Sequence, residues 1–233
     1  MTKNDKKLKI ERFEEIDSTN DYAKSKRGAG EDLLVIAKRQ TRGRGTKGRS
    51  FVSNDGGIYL TRLSFYENFP ANRAFEIMQN AAAAVCETLS FFGVKPKIKW
   101  PNDIFVGGKK ICGILVENTF SGACVSSSVV GIGLNVNGEL SPSIADIATT
   151  MQKEAGKLLD IVEVEGVLIE NLERGVGAKY GEYLGFLGEN VTLVVGDERI
   201  PARLLFVDER GNLHTETNGE NRIFAAAEIS VRI

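Results

Sequence analysis

Short apolar or alternating runs divide most of the chain into predicted β-strands, separated by glycine-rich and charged turns. Ahead of residue 140 these runs occupy residues 9–16, 33–37, 57–65, 97–106, 109–117 and 125–137. Gly107-Gly108 is a hairpin signal and joins the fourth run to the fifth. The sixth run ends in glycines, which indicate a bend.

Apolar residues at helical spacing predict two longer helices and one short helix. Residues 71–92 carry this spacing, and Gly93 supplies a stop. The chain is expected to turn helical again after Ser141-Pro142-Ser143, and four-residue steps from Leu168 to Tyr180 predict one amphipathic helix over residues 162–184. Ser18 with Asp21 resembles a capping box, so a short helix should run from there to Gly28-Gly30.

The pattern changes after residue 188, where short β-rich runs alternate with polar turns. The runs occupy residues 191–195, 200–207, 213–217, 222–225 and 229–233. Five strands in under ~50 residues predict a small barrel that leans on the main domain, because its own core would be marginal. We therefore expect an α/β chain of α+β type, with a main domain over residues 1–186 and a second domain over residues 187–233.

Composition and charge limit the function classes. The chain has 233 residues, 42% hydrophobic and 26% charged, and its 30 Lys+Arg against 31 Asp+Glu give a net charge of −1. That balance argues against a surface that attracts nucleic acid everywhere. No apolar segment follows the basic N-terminus, and no stretch approaches ~18 consecutive apolar residues, so we expect a soluble protein that is neither exported nor inserted in a membrane.

The cysteine and histidine contents exclude several kinds of site. Cys86, Cys112 and Cys124 lack C-x-x-C spacing, which favours a reducing cytoplasm over a disulfide framework or a zinc site. His214 is the single histidine, so histidine-based triads and multi-histidine metal sites are excluded. We expect His214 to be a surface or barrel residue.

A basic loop between the second and third predicted strands is the first candidate for chemistry. Residues 38–49 contain six basic side chains and no acidic one: Lys38, Arg39, Arg42, Arg44, Lys47 and Arg49. The glycines match a dinucleotide-binding G-x-G-x-x-G, and residues 43–50 differ from a P-loop by one residue. Both motifs open a helix that receives the phosphate, whereas here a strand is expected to follow. A solvated charged loop and a nucleic-acid-binding arm remain as alternatives.

Several motifs in a fixed order carry a resemblance to a known family. They are Ser18-Thr19-Asn20, the G-R-G-type loop from Gly43 to Phe51, Lys99-Trp100-Pro101-Asn102-Asp103, Lys110-Ile111-Cys112-Gly113-Ile114-Leu115-Val116-Glu117, and Gly131-Ile132-Gly133-Leu134-Asn135. Each is weak alone, but in this order the chain resembles the biotin protein ligases from about residue 10 to its end. The resemblance implies a mixed β-sheet with packed helices, related to class II aminoacyl-tRNA synthetase-like ligases, and a C-terminal SH3-like β-barrel.

The resemblance also implies a reaction in two halves. Biotin and ATP form biotinyl-5′-AMP, and biotin is then transferred to a lysine of a biotin carboxyl carrier protein or domain. Arg44 and Lys110 match positions that hold biotin's carboxylate and the α-phosphate, while Mg²⁺ would neutralise the pyrophosphate. Asp103 would take the lysine's proton or orient its ammonium, with a Mg²⁺-ligand role as the alternative. For Asp103 and Lys110 a plain surface ion pair also stays open.

The remaining site residues are implied in the same way. The biotin-binding positions are Ser18, Thr19, Asn20, Gln40, Gly43, Arg44, Gly45, Thr46, Lys110 and Gly113. The ATP or adenylate positions are Arg44, Arg49, Phe51, Asn102, Lys110 and Asn135. Trp100-Pro101 is expected mainly to form a rigid bend that holds a core aromatic side chain.

Two residues depart from the family pattern, and several alternatives stay open. Thr46 stands where a third loop arginine is usual, and Phe51 where tryptophan is usual. Ser18-Thr19-Asn20 lies too near the start for an N-terminal helix-turn-helix, so the resemblance is to the monofunctional type, without DNA or membrane as a partner. The alternatives are a lipoate or octanoate ligase of the same fold and a nucleic-acid-binding module, and a homodimer through a sheet edge remains open.

Overall fold

A computed structural model describes residues 8–226 and 228–232 of the chain. Its main element is a seven-stranded mixed sheet in the order β1-β2-β3-β7-β6-β5-β4. The strands are β1 (Lys9–Ile16), β2 (Leu33–Gln40), β3 (Ile58–Pro70), β4 (Lys97–Lys99), β5 (Asp103–Val106), β6 (Lys109–Ser121) and β7 (Cys124–Leu134). β1 and β2 are parallel, and the other neighbours in this sheet are antiparallel. The predicted mixed sheet is confirmed.

Helices cover both faces of this sheet. They are α1 (Thr19–Ser25), α2 (Phe75–Phe91), α3 (Met151–Ala155), α4 (Ile161–Arg174) and α5 (Tyr180–Tyr183). Successive side chains of a strand point to opposite faces, so Leu33 and Val35 pack in the cluster that contains α1, while Leu34 and Ile36 join the main core with α2 and α4. No helix among the described residues is long and apolar enough to cross a bilayer.

The C-terminal residues form a separate antiparallel sheet of five strands in the order β11-β10-β9-β8-β12. The strands are β8 (Asn190–Val195), β9 (Glu198–Val207), β10 (Leu213–Thr217), β11 (Glu220–Phe224) and β12 (Ile229–Arg232). Within the described residues no pairing joins the outer strands β11 and β12, so this unit is an open sheet by its strand pairing. His214 lies on β10 as expected, stacked on Phe206.

Trp100 connects the two sheets. Its side chain is buried among the apolar residues of the C-terminal sheet, and its Nε1 donates to the carbonyl oxygen of Gly211 at 3.0 Å. The expected role of Trp100-Pro101, a bend that holds a core aromatic, fits this contact, although the core it enters belongs to the second sheet.

The sequence predictions of two elements are wrong. Residues 97–106 are two antiparallel strands, β4 and β5, because the chain reverses where Trp100 turns towards the second sheet. The single helix over residues 162–184 ends at Arg174, where Gly175 adopts the left-handed conformation at φ 75°. Residues 1–7 of the predicted first domain and Ile233 of the predicted last strand lie outside the described residues.

Candidate functional site

A cleft on the α1 side of the seven-stranded sheet brings together most of the predicted site residues. It encloses about 430 Å³ of empty space, part of it open to solvent. The predicted residues that line it are Thr19, Asn20, Gln40, Arg44, Gly45, Thr46, Phe51, Asn102, Asp103, Lys110 and Gly113. These residues come from α1, from the ends of β2 and β5, from β6 and from the basic loop.

The first end of the cleft is neutral and rich in hydrogen-bonding groups. Ser18 caps α1, and its Oγ accepts from the backbone N–H of Asp21, which fixes the start of the helix. The backbone N–H of Thr19 donates to Oε1 of Gln40 at 2.8 Å, and the Thr19 hydroxyl lies 2.9 Å from the same oxygen. Ser18, Thr19 and Asn20 are all buried, so the capping turn holds their side chains in fixed positions.

Thr61 and Glu117, which are not among the predicted site residues, support this end of the cleft. The buried hydroxyl of Thr61 lies 2.8 Å from Oδ1 of Asn20, and Nδ2 of Asn20 donates to Oε2 of Glu117 at 3.3 Å. Thr61 is the register partner of Gly131, where an added Cβ would lie 2.0 Å from Oδ1 of Asn20. Gly131 therefore leaves the space that Asn20 occupies.

The basic loop is a strand-to-strand connection, as predicted. Its two arms meet in an antiparallel bridge between Arg44 and Ser50, and the N–H of Phe51 donates to the carbonyl oxygen of Gly43 at 2.8 Å. A Cβ on Gly43 would lie 2.5 Å from the carbonyl oxygen of Phe51, so this close approach requires glycine. One 3₁₀ turn, residues 46–48, is the only helical part of the loop itself, and no helix opens at its end. The P-loop and Rossmann interpretations are therefore wrong.

Carboxylates hold most of the cations in and beside the loop. Nε of Arg44 lies 2.6 Å from Oδ2 of Asp21, and Arg42 pairs with Asp17. Lys38 and Arg39 pair with carboxylates of the neighbouring chain segments, at 3.0 and 3.2 Å. The loop is consequently not an unpaired positive arm of the kind that binds nucleic acid through phosphates.

A second charged centre lies at the other end of the cleft. Nζ of Lys110 is 2.6 Å from Oδ1 of Asp103, and both side chains are partly exposed. Lys99 is the register partner of Asp103 across β4 and β5. Burial lowers the pKa of Lys99, and the nearby Asp103 partly offsets that shift. Lys99 itself does not line the cleft, although it opens the motif that contains Asp103.

The Phe51 ring lies over a surface that two glycines keep free of side chains. A Cβ on Gly133 would lie 2.5 Å from the ring, and one on Gly113 would lie 3.0 Å from it. Nζ of Lys110 is 6.0 Å from the ring centroid, and Tyr59 meets the ring edge-on. Besides Gly131 and Gly133, the cleft-lining residues that sequence reasoning missed are Ile114, Leu115 and Ile132. The G-x-G spacing on β7 is the signal that could have found the glycines.

Four predicted site residues do not line the cleft: Ser18, Gly43, Arg49 and Asn135. Nη2 of Arg49 donates to Oγ1 of Thr46 at 2.8 Å. Asn135 is buried, and its Nδ2 donates to the carbonyl oxygen of Thr149 at 3.1 Å. Both side chains bind other protein groups in this structure, so their predicted contacts with an adenylate remain untested predictions.

Protein ligands for a metal ion are few. Among the described residues no group of three or more His, Cys, Asp or Glu side chains is placed to hold a metal. Asp103 is a single carboxylate in the cleft. That arrangement fits Mg²⁺ only in the way common for nucleotide sites, where one or two carboxylates bind the ion together with substrate phosphates.

Comparisons with known proteins agree on one family. The profile of the biotin/lipoate A/B protein ligase family matches residues 12–135. The Bacillus subtilis bifunctional ligase/repressor BirA is 32% identical over 85% of this chain, and the chain spans 66% of that protein's length. The Escherichia coli bifunctional ligase/repressor BirA is 30% identical, with 93% of this chain and 72% of that protein covered. The solved structure of an Aquifex aeolicus biotin protein ligase with biotin and ATP superposes with a TM-score of 0.79 at 29% identity, covering 96% of this chain and 98% of that one.

Proposed function

Because the chain belongs to the biotin/lipoate A/B protein ligase family, we propose that it is an ATP-dependent biotin protein ligase. One observation carries the proposal: a single cleft has a neutral hydrogen-bonding end at Thr19, Asn20 and Gln40 and also contains the cations Arg44 and Lys110. Biotin has the matching chemistry, since its ureido head offers N–H donors and a C=O acceptor and its tail ends in a carboxylate.

In the first half-reaction an oxygen of the biotin carboxylate attacks the α-phosphorus of ATP. A new O–P bond forms, the bond from the α-phosphorus towards the β-phosphate breaks, and pyrophosphate leaves. Both reactants are anions, so Arg44 and Lys110 reduce their repulsion and stabilise the charge that gathers at the α-phosphate. Each cation is now paired with a carboxylate, Asp21 or Asp103, and has further N–H donors for a substrate oxygen.

In the second half-reaction a lysine amine of the carrier domain attacks the carbonyl carbon of biotinyl-5′-AMP. The C–N bond forms, the C–O bond to the phosphate breaks, and AMP leaves. A free lysine has a pKa of ~10.4 and arrives mostly protonated, so a nearby group must hold or accept its proton. Asp103 is that group in our proposal, because its carboxylate lies in the cleft beside the cations that bind the phosphate.

ATP would arrive with Mg²⁺, and the alternative role of Asp103 is that of protein ligand to this ion. When bound, the ion supplies positive charge that neutralises the departing pyrophosphate.

We assign catalysis to residues 1–186 and a supporting role to residues 187–233. Nζ of Lys47, in the basic loop, donates to the carbonyl oxygen of Ile229 at 3.1 Å, so the C-terminal sheet would steady the loop. The acceptor in this proposal is a biotin carboxyl carrier domain of a carboxylase, and the free cysteines agree with a reducing cytoplasm as the location.

Pyrophosphate exchange tests the proposal directly. The protein is mixed with ATP, Mg²⁺ and radiolabelled pyrophosphate, and biotin or lipoic acid is added in turn. Label should enter ATP with biotin. Exchange with lipoic acid alone would show that the substrate is a dithiolane acid and not biotin. Exchange with neither acid would contradict acyl-adenylate chemistry.

A further inference from the structure

We propose that Glu117 is a positioning residue, acting through Asn20 and Thr61, that leaves the neutral end of the cleft one hydrogen-bond donor short. A site in that state selects ligands that bring N–H groups. This inference rests on the proposed function, because it concerns how the same subsite would recognise the ureido head. Neither Glu117 nor Thr61 lines the cleft, so both would act through residues that do.

Glu117 fixes one end of a chain of side-chain contacts. Its Oε1 pairs with the ammonium of Lys24, and its Oε2 accepts from Nδ2 of Asn20 at 3.3 Å. A carboxylate facing an ammonium can only accept hydrogen bonds. Asn20 must therefore present its amide nitrogen to Glu117 and its carbonyl oxygen Oδ1 to Thr61.

Gln40 fixes the other end of the chain as an acceptor too. Its Oε1 accepts from the backbone N–H of Thr19 at 2.8 Å, and its Nε2 lies 3.4 Å from the hydroxyl of Ser53. A backbone N–H cannot reverse its direction, so the amide of Gln40 keeps its oxygen towards Thr19. The hydroxyl of Thr19 lies 2.9 Å from that same oxygen.

Between these two ends the contacts outnumber the hydrogens. The chain runs from Glu117 to Asn20, Thr61, Thr19 and Gln40, and each link is within hydrogen-bond distance, with Thr61 and Thr19 2.8 Å apart. One amide hydrogen and two hydroxyl hydrogens are available for these four links. One link is therefore an oxygen facing an oxygen with no hydrogen between them.

Because this end of the cleft lacks one hydrogen-bond donor, its affinity for a ligand depends on whether the ligand carries N–H groups. A buried hydroxyl oxygen that accepts no hydrogen bond is costly, and a ligand N–H directed at the Thr19 hydroxyl would satisfy that oxygen. A ureido group carries such N–H groups, whereas a dithiolane ring carries none. The donor shortage thus favours biotin over an acid of the lipoate type. Its cause is the negative charge of Glu117, which lies outside the cleft.

Glu117→Gln should remove the shortage almost without change of shape. Lys24 has only donors, so it would hold the oxygen of the new amide and turn the amide nitrogen towards Asn20. The side-chain amide of Asn20 would then flip and donate to Thr61, the Thr61 hydroxyl would donate to Thr19, and the Thr19 hydroxyl would donate to Gln40. Each of the four contacts would then have its own hydrogen. The free protein loses an unpaired contact, and biotin loses its advantage.

The test compares four proteins: wild type, Glu117→Gln, Lys24→Met and the double variant. Biotin-dependent pyrophosphate exchange gives KM and kcat, and thermal unfolding without ligand gives the midpoint. In Glu117→Gln we expect a biotin KM raised about tenfold, kcat within about threefold, and a midpoint that does not fall. In the double variant the amide can turn its oxygen back to Asn20, so most of the rise in KM should disappear. Lys24→Met alone keeps the carboxylate, and its KM should stay within about threefold.

The outcomes separate this inference from the proposed function. If wild type shows no biotin-dependent exchange, the proposed function is wrong and the inference falls with it. If wild type is active but Glu117→Gln keeps its biotin KM within about twofold, Glu117 does not set the donor count. A fall in both kcat and the unfolding midpoint, without recovery in the double variant, would indicate a merely structural role and also overturn the inference.

Discussion

Replacing Thr46 by arginine tests whether charge in the basic loop retains the reactive adenylate. Thr46 lines the cleft, and its Oγ1 accepts from Nη2 of Arg49 at 2.8 Å. Two neighbouring cations that could substitute for a missing guanidinium are held elsewhere, since Arg42 pairs with Asp17 and Lys47 binds the carbonyl oxygen of Ile229. Wild type is therefore expected to hold biotinyl-5′-AMP weakly.

The size of the effect follows from one hydrogen bond that forms and one that breaks. A guanidinium on the phosphate contributes roughly 1.5–3 kcal/mol as a charge-assisted hydrogen bond. The substitution removes the neutral acceptor of Arg49, an exposed hydrogen bond that contributes about 0.5–1 kcal/mol. The net stabilisation is about 1–2 kcal/mol, so Thr46→Arg should release the adenylate roughly five to thirty times more slowly than wild type.

Stopped-flow dissociation of biotinyl-5′-AMP measures this difference, with Thr46→Gln as the matched control. Glutamine adds length and hydrogen-bonding capacity without charge, so its off-rate should stay within about threefold of wild type. Labelling of lysines on a bystander protein should fall in Thr46→Arg in proportion to the off-rate. Equal off-rates in wild type and Thr46→Arg would refute the reasoning, because they would mean that another cation already reaches the phosphate.

Three further predictions concern two residues that line the cleft, Lys110 and Gly131, and Tyr59, which packs against the Phe51 ring. Lys110→Ala should raise the activation free energy of adenylate formation by about 3 kcal/mol, as measured by single-turnover rates, whereas biotin affinity, measured by calorimetry, should change far less. A rate of adenylate formation within about twofold of wild type would exclude this role of Lys110. Gly131→Ala would place a methyl carbon 2.0 Å from Oδ1 of Asn20 and should raise biotin KM about tenfold, whereas Gly166→Ala, with nothing within 4 Å, should not change it. Burial raises the pKa of Tyr59 from 10.0 to about 12, so the unfolded chain ionises first and this group's contribution to stability is lost as pH rises through that range. Tyr59→Phe should therefore flatten the alkaline fall in the free energy of unfolding measured by denaturant titration, and an unchanged slope would contradict this.

Most strands and one long helix could be predicted from the sequence because their signals are local. The apolar run at residues 33–37 lies within β2, and the spacing over residues 71–92 contains α2. The failure at residues 97–106 depends on distant contacts. The turn at Trp100 is stabilised by burial among residues of the C-terminal sheet, about a hundred positions later in the chain, and no local pattern carries that information.

The same distinction applies to the cleft. Residues whose chemistry is visible in their type, such as Arg44, Lys110 and Gln40, could be nominated from motifs, and all three line it. Thr61 could not, because a threonine in a strand is commonplace. Glu117 ends one of the motifs, but nothing in the motif shows that its side chain meets Asn20. Their roles depend on which side chain each meets across the sheet, and that follows from strand register.

Phe51 and the two glycines beneath its ring show why this part of the cleft could not be predicted without the strand register. Gly113 and Gly133 lie in different motifs, yet they are register partners on β6 and β7, so the two bare positions form one flat area. The Phe51 ring lies on that area, and either Cβ would collide with it or press against it. Glycine in a strand interior weakens the strand, so two paired glycines are a cost to stability that makes sense where an aromatic ring must approach the backbone. An aromatic residue in a loop and two glycines in strands become one feature only when the sheet has aligned them. The motifs contain all three residues, but nothing in the sequence shows that the three lie together.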